Sequence, residues 1–132
     1  MQEFKSVYEL IGGERIESLI AAFYRRVQDD PLLRPLYPDA DMEGAERRLR
    51  LFVVQYFGGP STYVEERGHP RLRMRHAPFA ISKAERDAWM AAMLASMAEV
   101  GIPEPAYSVM REYFENAASF MINQPFGIQG QG

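Results

Sequence analysis

Between Glu14 and Gln28 the apolar side chains Ile16, Leu19, Ile20, Phe23, Tyr24 and Val27 recur at spacings of three and four residues. That period lays all of them along one face of an α-helix, whereas strand side chains alternate between two faces. A helix striped in this way must bury the stripe against other elements. Asp29-Asp30-Pro31 stops it, because proline supplies no N–H and biases the residue before it away from helix. The short run Leu32 to Tyr37 lies between prolines and suits a single helical turn.

The same period returns three times. Asp41 is a plausible N-cap for a helix carrying Ala45, Leu49, Phe52, Val53 and Tyr56 on one face, and Gly58-Gly59-Pro60 ends it. Ser82-Lys83-Ala84-Glu85 reads as a capping box, opening a helix with Trp89, Met93, Leu94, Met97 and Val100 inward. Gly101 and Pro103 close it. Pro105 then suits the first turn of a last helix whose stripe is Tyr107, Met110, Phe114, Ala117 or Ala118, and Met121. Residues 60–81 are too rich in Pro, Gly and Arg for a long helix, and no segment alternates as a strand would. The expected class is all-α.

With 132 residues and 47% hydrophobic side chains, the chain suits one domain with a real core. A net charge of -3 favours neither nucleic acid nor an anionic membrane as partner, although arginines crowd locally between Arg67 and Arg75. The absence of cysteine removes disulfides, thiolate catalysis, Cys-based metal sites and covalent Cys-x-x-Cys-His haem attachment. No apolar run reaches the length of a membrane span, and the N-terminus lacks signal-peptide regions, so a cytoplasmic location is expected. The segment 125–132 is Gly-rich and expected to be a flexible tail behind a domain of residues 1–124.

Both histidines, His69 and His76, lie in the arginine-rich stretch. A structural zinc site takes four Cys or His ligands, and only two are present. Pro70 interrupts any helix joining the pair. The Glu-x-x-His pairs that a di-iron bundle takes from two helices are not both present, and no nucleophilic triad has motif support. A haem site asks for less: one neutral imidazole for the iron, an apolar slot, and cations for two propionates. Eight Met, eight Phe and seven Tyr could line such a slot, but they could equally be core packing.

Residue order carries more than composition does. "VYELIGGERI", "AAFYRRV", "LYPDADMEGAERRL", "FVVQYFGGP", "GGPSTYVEERGHPRLRMRHAPFAI", "ERDAWM" and "NQPF" follow one another over nearly the whole chain. In this the chain resembles the truncated haemoglobins, specifically their second group. The resemblance implies a two-over-two helical sandwich around haem b. His76 matches the proximal iron ligand, and His69, before Pro70, reads as structural or surface. Tyr24, Tyr37 and Trp89 match polar aromatics on the distal side. Ala45 falls where many haemoglobins place a distal histidine, and Leu49 and Phe52 match apolar pocket positions. Arg48, Arg75, Tyr63 and Met93 are the remaining haem-pocket expectations, the arginines for the propionates.

The implied function is binding of oxygen and other small ligands (nitric oxide, carbon monoxide, sulfide) at a five-coordinate iron. Nitric-oxide dioxygenation and peroxidase-like detoxification also belong to what the resemblance implies. The former would need a partner reductase, since no flavin or nicotinamide motif is visible. Two other readings stay open at this point: a haem-based sensor acting through a partner protein, and a haem-free helical interaction module. The oligomeric state, homodimer included, is not set by these residues.

Overall fold

The computed structural model describes residues 6–37, 42–68 and 81–122. These form α1 (Val7–Ile11), α2 (Gly13–Asp29), a 3-10 turn (Arg34–Leu36), α3 (Met42–Tyr56), α4 (Thr62–Arg67), α5 (Lys83–Val100) and α6 (Ala106–Phe120). No strand occurs among the described residues. His69, His76, Arg75, Asp41 and the tail 125–132 lie outside them.

The α2 stripe is the centre of the core. Ile16, Leu19, Ile20, Phe23 and Val27 are fully buried, and Tyr24 almost so. They pack against α5 on one side and α3 on the other, while α5 also packs on α6. Met90, Met93 and Met97 carry the inward side of α5, and Met110 and Phe114 that of α6. Trp89 and Leu94, expected inward, are only partly buried, and Met90 takes a core place that the stripe did not assign. Unbranched methionine fills the irregular gaps where helices cross.

Helix ends follow local chemistry. The Ser82–Glu85 box forms as expected, with Ser82 N–H donating to Glu85 Oε1 at 2.8 Å and Ala84 N–H donating to Ser82 Oγ at 3.3 Å. Gly101 ends α5 in the left-handed region, φ 70°, and Arg15 of α2 donates to its carbonyl at 2.7 Å. A second box, Ser6 with Glu9, starts α1. The Asp30 carboxylate accepts from Leu32 N–H at 2.8 Å and so forms the turn into Arg34–Leu36.

Two elements depart from expectation. Residues 62–67 are helical after all, with only Tyr63 buried. This short helix is tied down from outside itself. Val64 N–H donates to Gln55 Oε1 at 2.9 Å, and Arg47 clasps Glu66 with two bonds of 2.8 and 3.0 Å. The other is the Gly58-Gly59 pair. It does more than end α3, because it lets α1 lie against that end. A Cβ on Gly59 would come within 2.6 Å of Val54 Cγ1 and 2.8 Å of the Tyr8 ring. One on Gly58, where φ is 106°, would lie 2.6 Å from Ser6 Cβ. In that seam Tyr8 N–H donates to the Phe57 carbonyl at 2.9 Å.

Candidate functional site

A cavity of about 320 Å³ opens between α2, α3, α5 and α6. Four of its nineteen lining residues are charged, Arg48, Arg67, Glu85 and Arg86, and the walls are otherwise aromatic, aliphatic or alanine. An apolar void with a few convergent polar groups is the usual form of a small-molecule or cofactor site, at roughly 300–1,000 Å³.

One end of the cavity is polar. Tyr24 reaches it from the C-terminal half of α2, and its hydroxyl donates to the Ala45 carbonyl at 3.2 Å. Tyr37 reaches it from the end of the 3-10 turn, where Arg34 donates to its carbonyl at 2.8 Å. The two rings meet edge to face, centroids 5.4 Å apart. Trp89 comes in from α5. Behind them Phe23 sets its ring against both Tyr24, at 5.4 Å, and Trp89, at 5.1 Å, so these two share one packed support, and Tyr37 leans on it through Tyr24.

Their electrostatics fit the geometry. Burial pushes the Tyr37 phenol up to about 12, although the hydrogen bond from Trp89 to its oxygen opposes the rise. Burial raises Tyr24 further still, with Tyr37 adding to the effect and Arg48 working against it. Both phenols are therefore neutral near pH 7. They are hydrogen-bond donors there, and not phenolates that would bind iron themselves. The one Tyr24 hydroxyl proton is given to the Ala45 carbonyl, and the Tyr37 oxygen accepts from Trp89, so the Tyr37 O–H is the proton left to point at a ligand. Glu85 also lines the cavity. Burial acts to raise its pKa, but the hydrogen bonds from Ser82 outweigh this and hold the carboxyl below its usual range. That carboxylate is thus committed to capping α5.

Tyr24, Tyr37, Ala45, Arg48, Leu49, Phe52, Tyr63 and Trp89 all line this one cavity. Met93 does not: it is fully buried in the core and absent from the cavity wall. His76 and Arg75 lie outside the described residues. Phe114, Ala117, Ala118 and Met121 form much of the far wall, although their spacing had marked them only as the inner face of the last helix. Arg67 and Arg86 also reach the cavity, and Arg86 is braced by Ser119 Oγ at 3.1 Å and Asp87 at 3.1 Å. The residues present suit a flat, apolar, dianionic cofactor. The walls can hold its ring, the arginines can face its carboxylates, and the donor set can meet a small polar ligand.

Comparison with known proteins identifies the family and the fold. Residues 6–123 match the family of bacterial-like globins. The chain is 41% identical to the group 2 truncated haemoglobin YjbI of Bacillus subtilis strain 168, over 93% of this chain and 92% of that protein. Its fold superposes on the haemoglobin of the thermophilic phototroph Chloroflexus aurantiacus with a TM-score of 0.89 at 53% identity, covering 92% of this chain and 100% of the other. It superposes on the truncated oxygen-avid haemoglobin of Bacillus subtilis with a TM-score of 0.86 at 39% identity, covering 90% and 100%. The helices described above are those of a two-over-two globin.

Proposed function

The chain belongs to the bacterial-like globins as a truncated haemoglobin of the second group, and we propose that it holds haem b in the cavity beside Trp89 and binds oxygen there. Family membership carries the coarse function, haem and a small gaseous ligand. The choice of oxygen rests on one observation above all: Tyr24, Tyr37 and Trp89 converge at one end of an otherwise apolar cavity. A site that needed only an apolar gas would have no use for three polar groups there, each of which must find a partner when buried. The Bacillus subtilis relative described as oxygen-avid lends the same direction.

Haem, when bound, supplies an iron with one position open to a small ligand. In this reading His76 would hold the iron through its imidazole. Leu49, Phe52, Val53 and Phe114 exclude water from the ring. Ala45 leaves room where a larger side chain would crowd the ligand. Tyr37 would donate its hydroxyl proton to the ligand, with Trp89 holding the oxygen of that hydroxyl in place. Arg48, with Arg67 and Arg86 of the cavity wall, would hold the propionates, and Arg75, outside the described residues, is the further candidate for that role.

The test is a pair of substitutions read by spectroscopy. His76→Gly should abolish the five-coordinate ferrous spectrum and most haem affinity, and His69→Ala should keep both. Loss of the haem spectrum in His69→Ala, with its retention in His76→Gly, would overturn the ligand assignment. Haem binding also stabilises the folded state by mass action, so holo-protein should melt well above apo-protein. Equal melting temperatures would mark the haem as adventitious.

A further inference from the structure

Beside the haem cavity lies a second, shallower opening of about 430 Å³, lined by Ser6, Tyr56, Phe57, Glu112, Tyr113 and Asn116 among others. Tyr113 is the one described residue that lines both openings. On the outer side its ring is stacked on that of Tyr56, centroids 3.9 Å apart and planes 27° from parallel, and Tyr56 is 53% exposed. On the inner side Tyr113 meets Phe114 at 5.7 Å, and Phe114 meets Trp89 at 5.7 Å. From Trp89 to the surface there is an unbroken run of ring contacts, ending in a stacked tyrosine pair.

We propose that Tyr113 and Tyr56 form a redox relay, carrying oxidising equivalents from the haem cavity to a small phenolic or enediol reductant at the surface when the protein meets hydrogen peroxide. The proposal rests on the cavity being the haem site. Phenol and indole rings are the side chains here that can give up one electron, and close stacking gives the electron a short path between them. An exposed tyrosine with nothing behind it would be a surface residue only. Tyr56 has a cavity-lining tyrosine behind it in face-to-face contact.

The step balances as follows. Hydrogen peroxide, reduced in the cavity, takes up two electrons and two protons, breaks its O–O bond and leaves as two waters. For each equivalent, Tyr113 gives one electron inward and releases its phenol proton into the outer opening. Tyr56 then gives an electron across the stack and loses its proton to solvent, while Tyr113 regains one. The reductant returns an electron and a proton to Tyr56 and leaves as its one-electron oxidised form. Two such passages reduce one peroxide. Burial, with Tyr56 beside it, pushes the Tyr113 phenol up to about 12, so the resting relay carries its proton.

The experiment uses ferric holo-protein treated with one equivalent of hydrogen peroxide. Freeze-quench EPR detects the radical, and a nitroso spin trap with peptide mapping locates it. Haem uptake and carbon monoxide binding are recorded first. Wild type should carry its main adduct on Tyr56. Tyr56→Phe should move the adduct inward to Tyr113 and slow oxidation of an added phenol, with carbon monoxide binding retained. Tyr113→Phe should remove the adduct from Tyr56 although Tyr56 is still exposed. Wild-type labelling of Tyr56 in Tyr113→Phe, or a main adduct on Tyr8 or Tyr107, would sink the relay and leave the haem reading intact. A chain that takes up no haem would sink both.

Discussion

Removing the Tyr37 hydroxyl tests how the polar end of the cavity works. The Tyr37 oxygen accepts a hydrogen bond from Trp89, which leaves its own proton to donate. Tyr24 gives its one proton to the Ala45 carbonyl at 3.2 Å, so that proton is the least available of the three. Bound dioxygen carries partial negative charge, and hydrogen bonds to charged groups contribute about 1.5–3 kcal/mol. At about 1.4 kcal/mol per factor of ten, Tyr37→Phe should speed oxygen dissociation roughly 10- to 100-fold. The substitution also strips the Trp89 N–H of its acceptor, and that N–H can then turn to the ligand. Trp89→Phe alone should therefore have the smaller effect, Tyr24→Phe the smallest, and Tyr37→Phe with Trp89→Phe more than the sum of the singles. Carbon monoxide, less polar when bound, should leave at nearly unchanged rates. Stopped-flow dissociation of both gases measures all of this. Wild-type oxygen release from Tyr37→Phe and from the double variant would refute the argument, and the aromatics would be packing alone.

Two further outcomes concern stability. Gly59→Ala should destabilise the fold by about 1–3 kcal/mol through overpacking against Val54 and Tyr8. Gly58→Ala should cost at least as much, since its φ of 106° adds strain. Urea midpoints read this, and a wild-type midpoint for both would remove the seam as a constraint. Alkali should act through Tyr24, Tyr37 and Tyr113, all raised chiefly by burial. Below pH 10 the folded and unfolded chains both keep these phenols neutral, and stability is intact. Above it the unfolded chain ionises first, so stability falls by about 1.4 kcal/mol per group per pH unit until the folded pKa is passed. Phenolate absorbance that rises for all seven tyrosines together near pH 10 in still-folded protein would contradict this.

The long helices were legible in the sequence because their signals are local. Ser82 and Glu85 announce α5, and the three-four spacing of Ile16 to Val27 announces α2. The same box at Ser6 and Glu9 announces nothing by itself, because only five helical residues follow it, too few to show a stripe. α4 was illegible for a related reason. Tyr63 is its only buried residue, and Gln55 and Arg47, which hold the helix, belong to another element. The cavity shows a different limit. Periodicity marks Phe114, Ala117, Ala118 and Met121 as facing inward, but it cannot say whether they face side chains or a void. Met93 and Trp89 illustrate this on one helix: both fit the inner stripe, yet one is core and the other cavity wall. Order of motifs, and not spacing, separated Trp89 from the core residues. For Met93 it did not.

The glycine seam has a kinetic side. α1 is held by its packing and by the Tyr8–Phe57 backbone bond, and none of its residues lines the cavity beside Trp89. A five-residue helix has little cohesion of its own. It is therefore the element best placed to detach and re-dock without the rest of the bundle opening. In hydrogen exchange, its amides should report that local opening and be nearly blind to ligand, whereas α2, α3 and α5 gain protection when the cavity fills. The N-terminal helix would then breathe on its own clock, with gas traffic and haem retention left undisturbed.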